Sequence, residues 1–151
     1  MSTKPKTQAE KLPPKAILKL ISKLNVLVYR LSGGRVMGKL KGSPICLVTM
    51  TGRKSGRRIT MPLMYTPHQD RVLIVASLGG APQHPVWYHN IMANPDVVIQ
   101  DGSRIRTMRA RQASAAEKAE LWPLCVASYP DFAAYQARTD RDIPLVICQP
   151  V

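Results

Sequence analysis

The sequence predicts an α+β protein that is mainly β, with a small antiparallel β-barrel and helices around it in a single domain over residues 13–151. Of the 151 residues, 45% are apolar, which is enough for one core without disulfides or metals. The apolar segments are short and bounded by turn residues, as strands are. The connections between them are also short, whereas parallel strands need long crossover helices. Antiparallel pairing is therefore favoured.

A basic tail and an amphipathic helix precede the barrel. Residues 1–12 are polar and aperiodic, and we expect them to be disordered. A helix is predicted from Pro13 to Leu31, because proline is tolerated in a first turn and Gly33-Gly34 ends the helix. Lysine and arginine lie opposite an apolar arc of Ile17, Leu20, Ile21, Leu24, Leu27, Val28 and Leu31. This arc either packs on its own domain, which we favour, or rests on an anionic membrane.

Six strands and three short helices are predicted along the rest of the chain. The strands lie near residues 44–50, 59–66, 71–77, 96–101, 104–112 and 143–150. The fourth and fifth form a hairpin across Asp101-Gly102-Ser103. One helix lies between prolines in 84–95, and another opens with a capping box of Ser114 and Glu117 and runs to about Ser128. The last helix begins at Asp131, which we expect to cap it.

Positive charge is concentrated in the first part of the chain. Residues 1–58 hold 14 Lys and Arg but one acidic residue, whereas 59–151 hold eight basic and eight acidic residues. This asymmetry indicates an anionic partner for the first part, which can be a phosphate-bearing ligand, a nucleic acid or an anionic membrane.

The chain offers few acid–base catalysts of its own. His68, His84 and His89 lack metal-site spacing, and neither a Walker loop nor a G-x-S-x-G elbow occurs. The three cysteines, in apolar surroundings and without a C-x-x-C pair, are typical of buried reduced thiols in a cytosolic protein. No signal peptide or membrane-spanning run is apparent. We therefore expect no metal, and a cofactor supplying any redox reactivity.

Two motifs indicate where such a cofactor binds. The turn TGRKSGRR, residues 51–58, joins two strands and carries four cations, of which the first pair lies between two glycines. This composition is suited to phosphate oxygens. The alternative is a solvated basic hairpin loop. The segments VASLGG (75–80) and PVWYHN (85–90) would let a flat ring approach the backbone, with Trp87 covering it. The alternative for Trp87 is a place in the core.

In this order, the motifs resemble the deazaflavin-dependent nitroreductase family of actinobacteria. That family has a T-T-G-R-K-[ST]-G turn, a strand with P-L, an A-S-x-G-G loop, N/H-P-x-W-Y-x-N and a-N-P; here they read TMTGRKSG, MPLMY, ASLGG, HPVWYHN and ANP. The resemblance extends over residues 15–150. It implies a split β-barrel similar to flavin reductases and PNP oxidases, which binds coenzyme F420, a deazaflavin with a phosphate and an oligoglutamate tail. Such a tail would account for the cationic turn.

The resemblance also implies a place for each part of the coenzyme. Arg53, Lys54 and Ser55 would bind the phosphate and tail. The ring would contact Ile59, Pro62, Leu63, Met64, Val75, Ala76, Ser77, Leu78, Val86, Trp87, Tyr88 and Asn90, of which Ser77 is in addition a candidate catalytic residue. The acceptor pocket would be formed by Tyr129, Phe132 and Tyr135. This sequence departs from a familiar member of the family at two of these positions. Leu78 stands where that member has a lysine, and Phe132 stands where it has a tyrosine of the pocket.

The implied activity is hydride transfer from reduced F420 to a small electron-poor acceptor, which is a quinone, an activated enone or a nitroaromatic. The alternatives are a non-catalytic F420 binder or carrier and a basic nucleic-acid-binding protein. No nucleic acid is expected as a partner, because aromatic residues are 5% of the chain and none interleaves with the basic turn. We expect a cytoplasmic protein, with peripheral contact between residues 13–31 and the inner face of the plasma membrane.

Overall fold

The computed structural model describes residues 15–35, 38–40 and 42–151. The predicted tail, residues 1–12, and the predicted helix start at Pro13 lie outside these residues. The helices are α1 Lys15–Ser32, α2 Val86–Ala93, α3 Ala115–Ser128 and α4 Asp131–Ala137, with a 3-10 turn at Leu78–Gly80. The strands are β1 Lys39–Leu40, β2 Ser43–Thr51, β3 Arg58–Met64, β4 Thr66–His68, β5 Arg71–Val75, β6 Asp96–Asp101, β7 Arg104–Gln112 and β8 Leu145–Pro150.

The strands form one antiparallel sheet that curls round on itself. Its hydrogen-bonded order is β3-β2-β6-β7-β8-β5-β4, and β1 also pairs with β2. The strands at the two ends, β3 and β4, follow each other in the chain and are separated by Tyr65 alone. Within the described residues no ladder joins β3 to β4 or to β5. The barrel is therefore split between its two end strands and is not closed by hydrogen bonds. The predicted α+β split barrel is confirmed.

Local sequence signals account for most element boundaries. The β6–β7 hairpin turns at Gly102, whose φ of 64° favours glycine. At α3 the predicted capping box is present: the Ser114 hydroxyl accepts from the Glu117 amide at 3.2 Å, and the Ser114 amide donates to the Glu117 carboxylate at 3.0 Å. The predicted cap of α4 is wrong, because Pro130 is the N-cap and Asp131 is the first helical residue.

The core lies on both faces of the sheet. In β5, Val72 and Ile74 face a cluster inside the barrel, whereas Leu73 and Val75 face a second cluster under α3 and α4. A strand covered on both faces has a continuous apolar sequence, as this one does. The three cysteines are buried free thiols, as predicted, and burial raises the pKa of Cys125 to about 11. These thiols are therefore protonated and unreactive at neutral pH.

The first helix packs on the sheet through a tyrosine, and three of its leucines are exposed. Tyr29 is buried, and its hydroxyl donates to the Ile45 carbonyl at 2.9 Å and accepts from the Gly102 amide at 2.8 Å. Leu24, Leu27 and Leu31 are 56%, 51% and 80% exposed. The prediction that the apolar arc packs on the domain is therefore wrong for these leucines. In the described part of the chain no helix is both long and apolar enough to cross a bilayer.

Candidate functional site

An apolar cavity of about 300 Å³ opens where the split side of the barrel meets α2 and α4. Its lining residues are Met61, Leu63, Met64, Ile74, Val75, Ser77, Leu78, Pro85, Trp87 and Phe132. Most were predicted to contact a ring or an acceptor, but Met61, Ile74 and Pro85 were not. Met61 could have been found, because it lies two residues before Leu63 and so on the same face of β3. The only hydroxyl among the lining side chains belongs to Ser77.

One wall of the cavity is a loop with unusual backbone geometry. Three consecutive residues of this loop, Leu78, Gly79 and Gly80, have φ values of 43°, 62° and 81°. Glycine adopts such angles without strain, but leucine does not. Gly80 is also required sterically, because a Cβ there would lie 2.6 Å from the Tyr135 carbonyl oxygen. The VASLGG motif thus brings its backbone close to α4.

Trp87 belongs to the core and also lines the cavity. It is 7% exposed and belongs to the cluster inside the barrel, and it also lines the cavity. Phe132 is likewise 4% exposed and lines the cavity from α4. Tyr129 packs behind Phe132, with ring centroids 5.0 Å apart, and neither it nor Tyr135 lines the cavity. Of the predicted acceptor residues, only Phe132 therefore reaches the cavity.

Several residues predicted to contact the ring lie elsewhere. Pro62 does not line the cavity, although its neighbours Met61 and Leu63 do. Ala76 is completely buried, and Val86 is 73% exposed. The other three outside the cavity are Ile59, Tyr88 and Asn90. Ile59 lines a separate groove beside α1, and the Tyr88 hydroxyl donates to the Gln112 side chain at 2.6 Å.

The basic turn is exposed and internally hydrogen-bonded. The Gly52 amide donates to the Arg57 carbonyl at 2.8 Å, and the Gly56 amide donates to the Gly52 carbonyl at 2.9 Å. The Ser55 hydroxyl accepts from the Arg57 amide at 3.2 Å, so Ser55 stabilises the turn. Within the described residues, no ion pair occupies Arg53, Lys54, Arg57 or Arg58. The turn therefore presents four cations to solvent.

A buried asparagine connects the basic turn to the cavity. Asn90 is 6% exposed, and its side-chain oxygen accepts from the Arg53 amide at 3.0 Å. It lies three residues after Trp87 in α2 and so on the same face of that helix. The ring-side motif and the cationic turn are thus attached to one short helix. Asn90 orients the turn and does not line the cavity.

His84 lies beside the same loop and has a titratable ring. Burial, the Arg141 guanidinium and His89 lower the pKa of His84 below its usual range. The Arg141 guanidinium lies 2.9 Å from His84 Nδ1, which must then be the unprotonated acceptor. Within the described residues, no three His, Cys, Asp or Glu side chains come together as metal ligands.

Comparison with known proteins gives one consistent result. A family model described as F420H(2)-dependent quinone reductase matches residues 21–150. An F420H(2)-dependent quinone reductase of Mycobacterium tuberculosis H37Rv is 37% identical over 129 residues, which are 83% of this chain and 87% of the relative. A second protein of that strain, whose name assigns it provisionally to the same activity, is 42% identical over 113 residues, 75% of this chain and 95% of the relative.

A solved structure agrees with these relatives. The F420-H2 dependent reductase FDR-A is 44% identical to this chain and superposes with a TM-score of 0.66. The match covers 70% of this chain and 94% of that chain. This chain is therefore similar in both sequence and fold to proteins named for the same coenzyme.

Proposed function

This chain belongs to the F420H(2)-dependent quinone reductase family, and from this we propose a place for each part of the coenzyme in the site. The protein is an oxidoreductase that uses coenzyme F420 with a quinone acceptor. We place the deazaflavin ring in the apolar cavity and the phosphate and tail on the basic turn. The observation that carries this proposal is the attachment of both features to α2 through Trp87 and Asn90.

The size of the cavity supports this division. At about 300 Å³ it is at the lower end of the range of roughly 300–1,000 Å³ typical of small-molecule pockets. It suits a flat ring with an acceptor beside it, and not a whole coenzyme with an oligoglutamate tail. The anionic part must then lie outside the cavity, where Arg53, Lys54, Arg57 and Arg58 offer charge-assisted hydrogen bonds.

The residues of this chain would position the reactants and exclude water. Bound reduced F420 supplies the hydride that the quinone accepts. Trp87, Leu63 and Val75 would give the ring apolar surfaces, which would also exclude water from the space between ring and acceptor. We propose that Ser77, as the hydroxyl in this wall, hydrogen-bonds to the ring or to the acceptor oxygen. Activated enones and nitroaromatics are further proposed acceptors.

We also propose that the protein is cytoplasmic and that α1 rests on an anionic membrane, the inner face of the plasma membrane. Leu24, Leu27 and Leu31 form an exposed apolar stripe at i, i+3 and i+7. Lys23 and Arg30 are exposed beside it. Exposed leucines flanked by cations are typical of helices that lie in a membrane interface. A quinone acceptor that resides in the membrane would then be close to the enzyme.

The coenzyme assignment predicts a salt-dependent loss of binding when the turn loses charge. For Arg53→Ala with Lys54→Ala, we expect oxidised F420 to bind about a hundredfold more weakly at low salt, from two bonds of roughly 1.5 kcal/mol each. The difference should shrink at high salt, because exposed charges are screened. Fluorescence titration measures the affinity, and anaerobic reoxidation of reduced F420 by a quinone measures turnover.

A charge-matched control separates local from general effects. Arg104 and Arg109 are 61% and 64% exposed and lie on β7. Replacing both by Ala removes the same charge and should leave F420 affinity within about twofold of the wild type. Equal losses in the two double variants would refute a specific site at the turn. Binding without reoxidation would favour a carrier, and tight duplex DNA binding without F420 affinity would favour a nucleic-acid-binding protein.

A further inference from the structure

One arginine is bonded to several carbonyls of the loop that forms a cavity wall. Arg141 donates from Nε to the Ala81 carbonyl at 2.8 Å, from Nη1 to the Ala76 carbonyl at 3.2 Å and from Nη2 to the Ser77 carbonyl at 2.7 Å. Its Nη1 also lies 2.9 Å from His84 Nδ1. These acceptors lie at both ends of the strained segment 78–80 and just beyond it. One side chain thus fixes the span of the whole loop.

The loop needs such an anchor because its backbone is strained. A leucine at φ 43° is strained, because this left-handed region is sparsely populated by residues other than glycine. A conformation of this kind persists only where the surrounding contacts determine it. The Arg141 bonds do so on either side of Leu78, and Leu78 itself lines the cavity.

The second support for the loop is α4. The backbone of Gly80 approaches the Tyr135 carbonyl so closely that no side chain fits at position 80. The Arg138 guanidinium also donates to the Gly79 carbonyl, at 3.4 Å. Since α4 contributes Phe132 to the cavity, the position of the loop against α4 sets the distance between two cavity walls.

No carboxylate among the described residues pairs with Arg141. The dipoles of three backbone carbonyls stabilise its positive charge instead. Partial burial lowers the pKa of the Arg141 guanidinium, which nevertheless remains charged at neutral pH. The guanidinium suits this task because its donors point outward in a fixed plane and can reach several carbonyls at once. A lysine could reach fewer of them in the same geometry.

We propose that Arg141 is a positioning residue for the deazaflavin ring, which holds the loop 76–81 in its strained conformation against α4 and so sets the width of the cavity. The proposal rests on the proposed function, since it assigns the ring to this cavity. Arg141 itself does not line the cavity. It acts through the Leu78 segment of the wall, and no chemical step is assigned to it.

His84 makes this arrangement sensitive to pH. The groups that face its ring are Arg141, Tyr88 and His89. Protonation would remove the Nδ1 acceptor and place a second cation beside Arg141. Since the pKa of His84 is lowered in the folded protein, the stabilisation of the anchored loop is fully present above the ordinary histidine value of about 6.5 and is lost as the pH falls through the lowered folded-state pKa.

The test uses the full chain with Arg141→Ala and Arg141→Lys, and Arg109→Ala as an arginine control on β7. In Arg141→Ala we expect at least tenfold faster hydrogen exchange of the amides of 77–81, with β6 and β7 unchanged. We also expect at least tenfold weaker F420 binding, and an intermediate value in Arg141→Lys. In the wild type, F420 affinity should fall as the pH is lowered below the ordinary histidine pKa of about 6.5. His84→Asn, which keeps an acceptor, should flatten this dependence.

Different failures lead to different conclusions. Wild-type affinity for F420 in Arg141→Ala would overturn the positioning role, as would exchange that accelerates equally in every strand. Unchanged loop exchange in that variant would overturn it as well, and this measurement needs no coenzyme. If the wild-type chain does not bind F420 at all, the proposed function fails first. That result is distinguishable, because loop exchange would still respond to Arg141→Ala.

Discussion

At the scale of single residues, Phe132 is the aromatic side chain that we propose for the acceptor side of the cavity. It packs among Tyr129, Trp122 and Tyr135, with ring centroids 5.0, 6.4 and 6.3 Å away, and it also lines the cavity. Phe132 therefore packs in the core and also lines the cavity, and its place in an acceptor pocket stays a prediction. Phenylalanine gives a developing oxyanion no hydrogen-bond donor, whereas a tyrosine would.

For Phe132→Tyr, we expect faster turnover of acceptors that develop negative charge on oxygen, nitroaromatics above all. One well-placed donor is worth about 2.7–4 kcal/mol of barrier, so the gain can reach two orders of magnitude where the geometry allows it. Coenzyme affinity should change little. Steady-state kinetics with a quinone and a nitroaromatic measures the effect. Trp122→Phe, an aromatic change outside the cavity, is the control, and equal kinetics in Phe132→Tyr, Phe132→Ala and the wild type would place the acceptor elsewhere.

Among the elements, α1 departs most from the pattern of its sequence. Its periodicity predicts a helix correctly, but the helix packs through Tyr29, which lies outside the apolar arc. The tyrosine hydroxyl joins α1 to β2 and to the β6–β7 turn. Gly34 lets the following chain pass that turn closely, since a Cβ there would lie 2.7 Å from the Gly102 Cα. Contacts with β2 and with the β6–β7 turn thus fix the position of this helix.

Tyr29→Phe should lower the free energy of unfolding by about 1–3 kcal/mol. The reason is that the partly buried Gly102 amide and Ile45 carbonyl lose their hydrogen-bond partner, the buried Tyr29 hydroxyl. Urea denaturation followed by circular dichroism measures the change. Tyr65→Phe is the matched control: the Tyr65 hydroxyl makes no hydrogen bond within the described residues, and its loss should cost less than about 0.5 kcal/mol. Equal stability of Tyr29→Phe and wild type would show that the tyrosine bonds do not dock α1.

In the molecule as a whole, the fold brings three cations of the N-terminal part together in one groove. A groove of about 440 Å³ between α1 and β3 is lined by Lys23, Arg30 and Arg58 together with Val26, Leu27, Ile59 and Thr60. The Arg30 guanidinium donates to the Thr60 hydroxyl at 3.3 Å across this groove. Cations from α1 and from the basic turn are therefore neighbours in space, beside the exposed leucines.

This surface predicts binding to anionic vesicles. We expect the protein to sediment with phosphatidylglycerol vesicles at low salt and not with phosphatidylcholine vesicles, because each cation near an anionic surface contributes about 1 kcal/mol. Replacing Leu24, Leu27 and Leu31 by serine should abolish sedimentation and leave F420 affinity unchanged. The control replaces Ile105 and Leu124, which are also exposed, by serine. Absence of sedimentation by the wild type at low salt would remove the membrane contact.

The elements and the main motifs of the site follow from local patterns in the sequence. Strand alternation, the glycine of the β6–β7 turn and the capping box of Ser114 each depend on residues within a few positions of one another, so they can be recognised in a single chain. The basic turn and the VASLGG loop are recognisable for the same reason. Their physical requirements, positive charge and freedom of the backbone, are properties of the residue types themselves.

The contacts that assemble these motifs could not be read in this way. Arg141 is bound to the carbonyls of Ala76, Ser77 and Ala81, and Tyr29 to the backbone of Ile45 and Gly102. Every residue has a carbonyl, so the identity of an acceptor residue carries no information about its distant donor. Which carbonyls converge is set by how the strands curl and where the helices pack. The selection of Phe132 over its neighbouring tyrosines as a cavity wall is decided by the same three-dimensional packing.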